Sequence, residues 1–345
     1  MAKGANERKQ LAEVALCSGL FADCCWSVFD ADGAEEHGCV GNAPWNAWYD
    51  IASLTKIFTT TAALAVMQER GLSLDCRLSD MPGNISGALP SGSNVVARER
   101  LESMTMRRLL THTSGLAAWY PFYADGRPFW EIMSEFLERP PLQKMVYSDL
   151  NFMLIRELLC HITGFHFERV IQRYVNERTG LDSVSFTPPA EAYVAPGCLD
   201  NQIEEKMCAQ QGICFGGFRP HRKVVCGQAN DGNAFYYFRG VSGHAGLFGN
   251  VDALAGLGRF YLMGNEWFRQ ALAPQPGCAG RCLGFHTGSP FPTGCGHTGF
   301  TGTSLWLDEV RGFGMAILSN RLMCGGASAP DLTEFRMKMH ETMLD

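Results

Sequence analysis

A serine and a lysine three positions apart open a long run with few charges, and this pair most constrains what the chain can be. Ser53 and Lys56 stand near the start of residues 49–70. On a helix, side chains three apart lie on one face, one turn from each other. Side chains in the first turn also lie near unpaired backbone N–H groups, which favour a developing negative charge. The stretch therefore predicts a helix that presents a hydroxyl and an amine together.

This geometry suits nucleophilic catalysis. A serine hydroxyl is a poor nucleophile until a base takes its proton, and a lysine is such a base when burial lowers its pKa enough to leave the amine uncharged. Ser53 is the only serine of the chain with a lysine three positions later. The alternative is an ordinary pair on a solvated helix face, and the pair alone does not decide between the two.

Composition excludes several classes of protein. The chain has 345 residues, of which 46% are hydrophobic and 19% charged. These values predict one large globular domain or two intimate subdomains. The net charge of −6 argues against a nucleic-acid binder, which needs a basic face. No apolar run reaches the roughly 18 residues of a membrane span. We expect a small-molecule or peptide substrate, and the oligomeric state is left open.

The cysteines and the N-terminal residues bear on localisation. None of the 14 cysteines forms a C-x-x-C pair, so a zinc or thioredoxin-type site has little support. Residues 1–9 are polar and residues 11–21 are interrupted by Glu13, which predicts no signal peptide. We therefore expect a cytoplasmic protein with reduced, mostly buried thiols. A processed periplasmic form is the alternative.

Predicted strands lie at both ends of the chain and predicted helices in the middle. The N-terminal part predicts a helix over 11–21, a hairpin over 24–41 and the Ser53 helix ending at Gly71. Residues 75–102 predict a loop, and residues 186–237 an irregular segment beside the substrate. The other elements are helices over 106–111, 151–160, 167–177, 252–263 and 332–344, and strands over 299–307 and 312–319. This order predicts a sheet domain (1–75 and 240–345) with a mainly helical insert (76–239).

A polar cluster, Tyr147-Ser148-Asp149, precedes an apolar helix of the insert. A tyrosine beside a lysine in a cleft can relay a proton between nucleophile and leaving group. The alternative is an ordinary helix start, with Ser148 or Asp149 as the N-cap and Tyr147 as a hydrophobic staple.

A glycine-rich stretch, residues 296–302, offers a second candidate. Its small residues let a substrate lie along a strand edge, where His297 and Thr298 would bind a carboxylate or a polar carbonyl. A backbone N–H after Gly299 would join that of Ser53 in an oxyanion hole, where one donor is worth ~3 kcal/mol. The alternative is a plain turn before a strand. Residues 240–248 predict a structural turn, and His244 is given no catalytic role.

The order of these stretches resembles the serine β-lactamase and penicillin-binding-protein superfamily. Ser53-x-x-Lys56, Tyr147-Ser148-Asp149 and His297-Thr298-Gly299 occur in the order typical of its class C β-lactamase, D,D-peptidase and esterase group. Residues 109–116, 243–248 and 299–306 resemble the framework of that group, so the likeness covers roughly residues 10–340. It implies an α+β sandwich in which helices flank an antiparallel sheet built from both termini, with a helical insert.

The resemblance also implies roles. Ser53 would be the acylated nucleophile, Lys56 its proton acceptor and Tyr147 a second base that assists leaving-group protonation and deacylation. The backbone N–H groups of Ser53 and Phe300 would form the oxyanion hole, beside Thr298 and Gly299. No metal or organic cofactor is implied.

Two residues depart from the family pattern. Asp149 stands where the family usually has Asn, and His297 stands where β-lactamases usually have Lys. A neutral or part-charged histidine binds a β-lactam carboxylate less well than lysine, and a nearby Asp adds unfavourable charge. We therefore expect hydrolysis of amides or esters, such as cell-wall-derived peptides or small esters, before hydrolysis of β-lactams. A transacylase, a D,D-carboxypeptidase and a non-catalytic binding protein are the alternatives.

Overall fold

A five-stranded antiparallel sheet forms the centre of the protein, in the strand order β2-β1-β10-β9-β8. The computed structural model describes residues 4–83, 85–200, 202–325 and 328–344. The strands are β1 Cys24–Asp30, β2 Glu35–Val40, β3 Tyr49–Asp50, β4 Val184–Ser185, β5 Cys198–Leu199, β6 Val224–Val225, β7 Phe248–Gly249, β8 Cys295–Thr298, β9 Ser304–Asp308 and β10 Phe313–Ser319.

Helices cover both faces of the sheet and are numerous between residues 76 and 239. They are α1 Ala5–Cys17, α2 Thr55–Glu69, α3 Val95–Ser103, α4 Met106–Leu110, α5 Phe122–Asp125, α6 Phe129–Glu138, α7 Asp149–Thr163, α8 Phe167–Ile171, α9 Glu177–Thr179, α10 Gln202–Gln210, α11 Val251–Met263, α12 Glu266–Arg269 and α13 Thr333–Glu341. Within the described ranges, no helix is both long and apolar enough to span a bilayer.

The two ends of the chain meet in the middle of the sheet. β1 pairs with β10 from Cys24 opposite Ser319 to Asp30 opposite Phe313, and β2 and β9 lie outside them. Successive side chains of a strand point to opposite faces, and Trp26 accordingly belongs to the apolar cluster beneath α1 and α13 while Phe29 belongs to the main core. The expected sandwich, built from both termini around an antiparallel sheet, is confirmed.

α2 is buried on all sides and runs through the main core. Its residues from Thr55 to Met67 are buried, which explains why it lacks the one-sided apolar stripe of a surface helix. Its threonines avoid an unsatisfied hydroxyl by bonding back to the preceding turn, as Thr60 does to the carbonyl of Lys56 at 2.8 Å. The helix stops before Gly71, whose φ of 64° ends it in the predicted way.

Three elements of the structure differ from the prediction. α1 begins at Ala5 rather than residue 11, because the buried Arg8 pairs with Glu36 at 2.7 Å and so makes a polar segment part of the fold. α3 lies in the stretch predicted to be a loop, and it starts where Asn94 accepts the N–H of Ala97 at 2.9 Å. β8 was not predicted, and residues 299–303 form the turn between β8 and β9 rather than the start of a strand.

The insert also differs in detail. Residues 186–237, expected to be irregular, include α10, the β5–β6 pair and a π-helical turn at Asn233–Tyr237. The boundaries placed at residues 76 and 239 stay a prediction, and the outer limits at residues 1 and 345 lie outside the described residues.

Candidate active site

Ser53 lies in a short 3-10 turn, Ala52–Leu54, that leads into α2. The buried carboxylate of Asp50 fixes this turn, since its Oδ1 accepts the N–H of Ala52 at 2.8 Å and its Oδ2 accepts the N–H of Asn230 at 2.7 Å. Ala52 has a φ of 47°, a left-handed conformation that is unfavourable for any residue with a Cβ. Such strain is typical of functional sites, and here it immediately precedes the serine.

The Lys56 side chain is fully buried and touches Ser53. Its Nζ lies 2.9 Å from Ser53 Oγ, 3.0 Å from the carbonyl oxygen of His244 and 2.8 Å from Asp149 Oδ1. Ser53 Oγ and the carbonyl oxygen of His244 accept hydrogen bonds from the ammonium. Asp149 Oδ1 is close enough for an ion pair but makes no hydrogen bond among the described residues. The arrangement is an ammonium that donates to the serine oxygen and is paired with a carboxylate.

The expectation of an uncharged lysine is therefore wrong for this state of the site. Burial lowers the pKa of Lys56, but Asp149 and Tyr147 together outweigh burial, so that the pKa lies above its ordinary value. The sequence argument considered burial alone. It placed Asp149 near the substrate and missed its ion pair with the lysine.

Tyr147 is held against the lysine by residues that precede α7. Its ring centroid lies 5.0 Å from Lys56 Nζ and 4.6 Å from the ring centroid of His112. His112 Nδ1 accepts the N–H of Ser148 at 3.0 Å, and Ser148 Oγ donates to the carbonyl of Ala117 at 2.6 Å. The stretch around His112, recognised in the sequence only as framework, thus positions the tyrosine.

The turn between β8 and β9 is bonded to the backbone before Ser53. Thr301 Oγ1 donates to the carbonyl of Asp50 at 2.7 Å, and Thr303 Oγ1 donates to that of Ile51 at 3.1 Å. These bonds hold Phe300 beside the serine turn. Among the described residues, the Phe300 N–H has no hydrogen-bond acceptor, as an oxyanion donor requires in the absence of substrate.

His297 does not fit the carboxylate-binding role expected for it. Its Nδ1 lies 2.9 Å from the carbonyl oxygen of Thr298, so Nδ1 carries the hydrogen, because a carbonyl only accepts. Burial, reinforced by Lys56 and other neighbouring cations, lowers the pKa of His297 well below 6.5. The ring is therefore neutral, and its Nε2 offers a lone pair that repels a carboxylate.

A carboxylate and a histidine lie behind the backbone carbonyl that binds Lys56. Asp231 Oδ1 accepts from His244 Nε2 at 2.8 Å, and His244 Nδ1 lies 2.8 Å from Ser242 Oγ. Burial raises the pKa of Asp231, but His244 and Lys56 outweigh it and lower the value. His244 thus orients the backbone carbonyl that binds Lys56, a positioning role that the sequence did not indicate.

Asp149, Asp231 and His244 each place one possible metal ligand atom within 4.8 Å of the others. The Lys56 ammonium is already ion-paired with Asp149 and supplies positive charge at this point. The donor set is therefore satisfied by a side chain of the protein itself.

A cavity of about 520 Å³ opens onto these groups. All of the predicted site residues except Lys56 line it, and Lys56 reaches it through Ser53; those that line it are Ser53, Tyr147, Asp149, His297, Thr298, Gly299 and Phe300. The structure therefore brings the predicted residues together.

Arg281 also lines the cavity and was not predicted. Its guanidinium carbon lies 5.3 Å from the centroid of the Tyr147 ring, and no described carboxylate pairs with it. Burial lowers its pKa, but an arginine stays charged in a protein. The sequence around it, Gly280-Arg281-Cys282, carries no signal that separates it from the other arginines.

Comparison with known proteins agrees with this geometry. A protein of Salmonella typhi, whose name proposes a D-alanyl-D-alanine carboxypeptidase, is 26% identical over 318 residues, which cover 81% of this chain and 70% of that protein. A class C β-lactamase from Rhodobacter sphaeroides has the same fold, with a TM-score of 0.72 at 16% identity over 99% of this chain and 100% of the other. A D-amino acid amidase from Ochrobactrum anthropi gives 0.70 at 16% identity over 98% of both chains. Because the β-lactamase family model matches residues 27–329, the chain belongs to the β-lactamase family.

Proposed function

We propose that the protein is a serine hydrolase that cleaves amides or esters of small peptides through an acyl-enzyme on Ser53. The observation that carries this proposal is the 2.9 Å contact between Ser53 Oγ and the buried Lys56 Nζ, at the floor of a cavity large enough for a small ligand. Membership in the β-lactamase family and the carboxypeptidase and amidase names among its relatives support a hydrolase.

The acylation step follows from the contacts of Lys56. The ammonium first gives one proton to solvent, and its lone pair then takes the hydroxyl proton as Ser53 Oγ bonds to the carbonyl carbon. The N–H groups of Ser53 and Phe300 bind the oxyanion, and each such donor is worth ~3 kcal/mol. When the bond to the leaving group breaks, Tyr147 carries a proton from Lys56 to the departing nitrogen or oxygen. Water then attacks the acyl-enzyme by the same route and frees the serine.

Arg281 favours a peptide with a free carboxylate as a second, narrower candidate substrate. A half-buried guanidinium without an anionic partner is unfavourable, and a carboxylate of the ligand would pair with it in a bidentate manner. This agrees with the carboxypeptidase named among the relatives. β-Lactams come lower in this ranking, because the neutral His297 does not replace the lysine that β-lactamases usually have there.

The test is covalent labelling. Intact-mass analysis after a fluorophosphonate is expected to show one adduct, which peptide mapping places on Ser53, and Ser53→Ala is expected to remove both the adduct and the hydrolysis of p-nitrophenyl acetate. Ser79→Ala, at an exposed serine, is the matched control and is expected to behave as wild type. An adduct on another residue, or unchanged hydrolysis by Ser53→Ala, refutes the proposal.

A further inference from the structure

The charge beside the nucleophile is the feature that the proposed function leaves unexplained. Lys56 Nζ lies 2.9 Å from Ser53 Oγ and 2.8 Å from Asp149 Oδ1, so a single ammonium lies between the carboxylate and the nucleophile. Asp149 is also reached from the cavity, with 19% of its side chain exposed.

The part of a substrate next to its scissile carbonyl lies close to this carboxylate. When the scissile carbonyl carbon is bonded to Ser53, the substituents on the adjacent carbon lie only about 2.5 Å from that carbonyl carbon. Those substituents and Asp149 are therefore neighbours. An uncharged substituent leaves the Lys56–Asp149 pair intact, whereas a cationic one competes with Lys56 for the same oxygens.

Two further observations show that this wall of the cavity has hydrogen-bond acceptors without donors. Asp149 Oδ1 makes no hydrogen bond among the described residues, although it is ion-paired with Lys56. His297, which is 3% exposed and lines the same cavity, has no hydrogen-bond partner for its Nε2 among the described residues. A buried acceptor without a donor is costly, and the N–H groups of a ligand would satisfy it.

We propose that Asp149 selects substrates whose acyl group carries a protonated amine next to the scissile carbonyl, and that this amine replaces Lys56 at the carboxylate. The inference rests on the proposed function and narrows its substrates to amides and esters of amino acids and of peptides with a free amino terminus. With the amine bound, Lys56 loses the partner that keeps it charged. It releases a proton to solvent and becomes the base for Ser53.

The two histidines beside Lys56 carry no charge that would hold its proton. His112 and His297 are both neutral, because burial and the neighbouring cations lower the pKa of each. Tyr147 and Asp231 stay in place, since His112 and His244 hold them. Asp149 is thus the group whose pairing the substrate changes, and an amine is expected to accelerate acylation as well as strengthen binding.

The experiment compares two phosphonate diphenyl esters of equal shape. One carries a 1-aminoethyl group and the other an isopropyl group, in which a methyl replaces the ammonium. In each case Ser53 Oγ bonds to phosphorus and one phenol leaves, so the rate of Ser53 modification by intact mass measures acylation directly. The wild-type protein is expected to react at least about tenfold faster with the amino reagent.

Asp149→Asn is expected to reverse this preference. It loses the partner of the ammonium, so its rate falls with the amino reagent, and it releases Lys56, so its rate rises with the isopropyl reagent. Asp182→Asn removes the same charge at an exposed position and is expected to keep the wild-type ratio.

Two results overturn the inference while leaving the proposed function standing. One is equal reaction with both reagents by the wild-type protein, including no reaction with either when a fluorophosphonate labels Ser53. The other is an equal loss on both reagents in Asp149→Asn, which would mean a structural role only. Failure of every reagent to modify Ser53 removes the proposed function as well.

Discussion

In the proposed mechanism, the charge on Lys56 sets the pH at which Ser53 becomes reactive. Because Asp149 holds the pKa of Lys56 above its ordinary value of 10.5, the reactive amine forms only as the pH rises. Labelling of the wild-type protein by an uncharged fluorophosphonate is therefore expected to accelerate steadily from pH 6 to pH 10.

Asp149→Asn leaves burial as the main influence on Lys56, which lowers its pKa. The rising limb is then expected to move to lower pH, with about a tenfold gain at neutral pH for each unit by which the pKa falls. The rate of adduct formation, measured across the pH series for the wild type and for Asp149→Asn, gives the rising part of each profile. A profile that is flat, or that moves to higher pH in the variant, would show that another base takes the proton.

At the level of single residues, the sequence identified side chains by type and order, and it missed those that depend on contacts distant in the chain. Ser53 and Lys56 are neighbours on one turn, so their contact followed from helix geometry. The pairing of Lys56 with Asp149, and of Asp231 with His244, joins separate elements that no local pattern connects. Arg281 likewise reaches the site only through the folding of distant parts of the chain.

At the level of the elements, the β8–β9 turn leaves no space for a larger side chain at Gly299. A Cβ added at Gly299 would lie 2.7 Å from the carbonyl oxygen of Ile51, and closer still to Thr303 Oγ1, which bonds that same carbonyl. Both atoms belong to the link between this turn and the Ser53 segment. The side chain at position 299 therefore decides whether Phe300 stays beside the nucleophile.

Gly299→Ala is expected to slow Ser53 labelling by about a hundredfold or more, the usual cost of losing one oxyanion donor. The overpacking itself is expected to cost about 1–3 kcal/mol of stability, so the fold survives. Gly92→Ala is the control, because a Cβ there meets nothing within 4 Å. Labelling rates and thermal midpoints of the two variants measure the effects separately, and normal labelling by Gly299→Ala would exclude Phe300 from the oxyanion hole.

The elements that sequence predicted poorly share a cause. α3 follows a stretch rich in Gly, Pro and Ser and begins at its Asn94 cap, and α1 begins with polar residues that Arg8 ties to β2. β8 spans four residues, too few to show a period of two. α2 and β10, by contrast, are long apolar runs bounded by turn residues, and the sequence placed both.

At the level of the whole molecule, the sheet closes only when the first and last thirds of the chain meet, since β1 pairs with β10. The sequence predicted this from strands at both ends. It did not predict that the helices packed on the sheet would carry buried histidines. His340 lies on α13 with its ring centroid 4.8 Å from that of Trp306, and its Nδ1 is 3.0 Å from the carbonyl oxygen of Pro290.

Burial lowers the pKa of His340 to about 3, well below the 6.5 of an exposed histidine. The neutral form is therefore favoured in the fold, and its contribution to stability is complete above about pH 6.5 and is lost as the pH falls towards 3. Over that window each such histidine costs about 1.4 kcal/mol per pH unit. His112 and His297, whose pKa values are also lowered by burial, add to the loss.

His340→Phe is expected to reduce the slope of unfolding free energy against pH between pH 6.5 and 4. The phenyl ring keeps the packing against Trp306 and cannot be protonated, although the lost bond to Pro290 lowers stability at every pH. The difference in slope between variant and wild type is the measured quantity, because the lost bond to Pro290 shifts stability equally at every pH and does not change the slope. The contribution of Asp50, whose pKa burial raises to about 6, is the same in both proteins and cancels. His166→Phe, at an exposed histidine, is expected to keep the wild-type slope in urea unfolding at each pH. An equal slope in His340→Phe and wild type would mean that His340 does not drive acid unfolding.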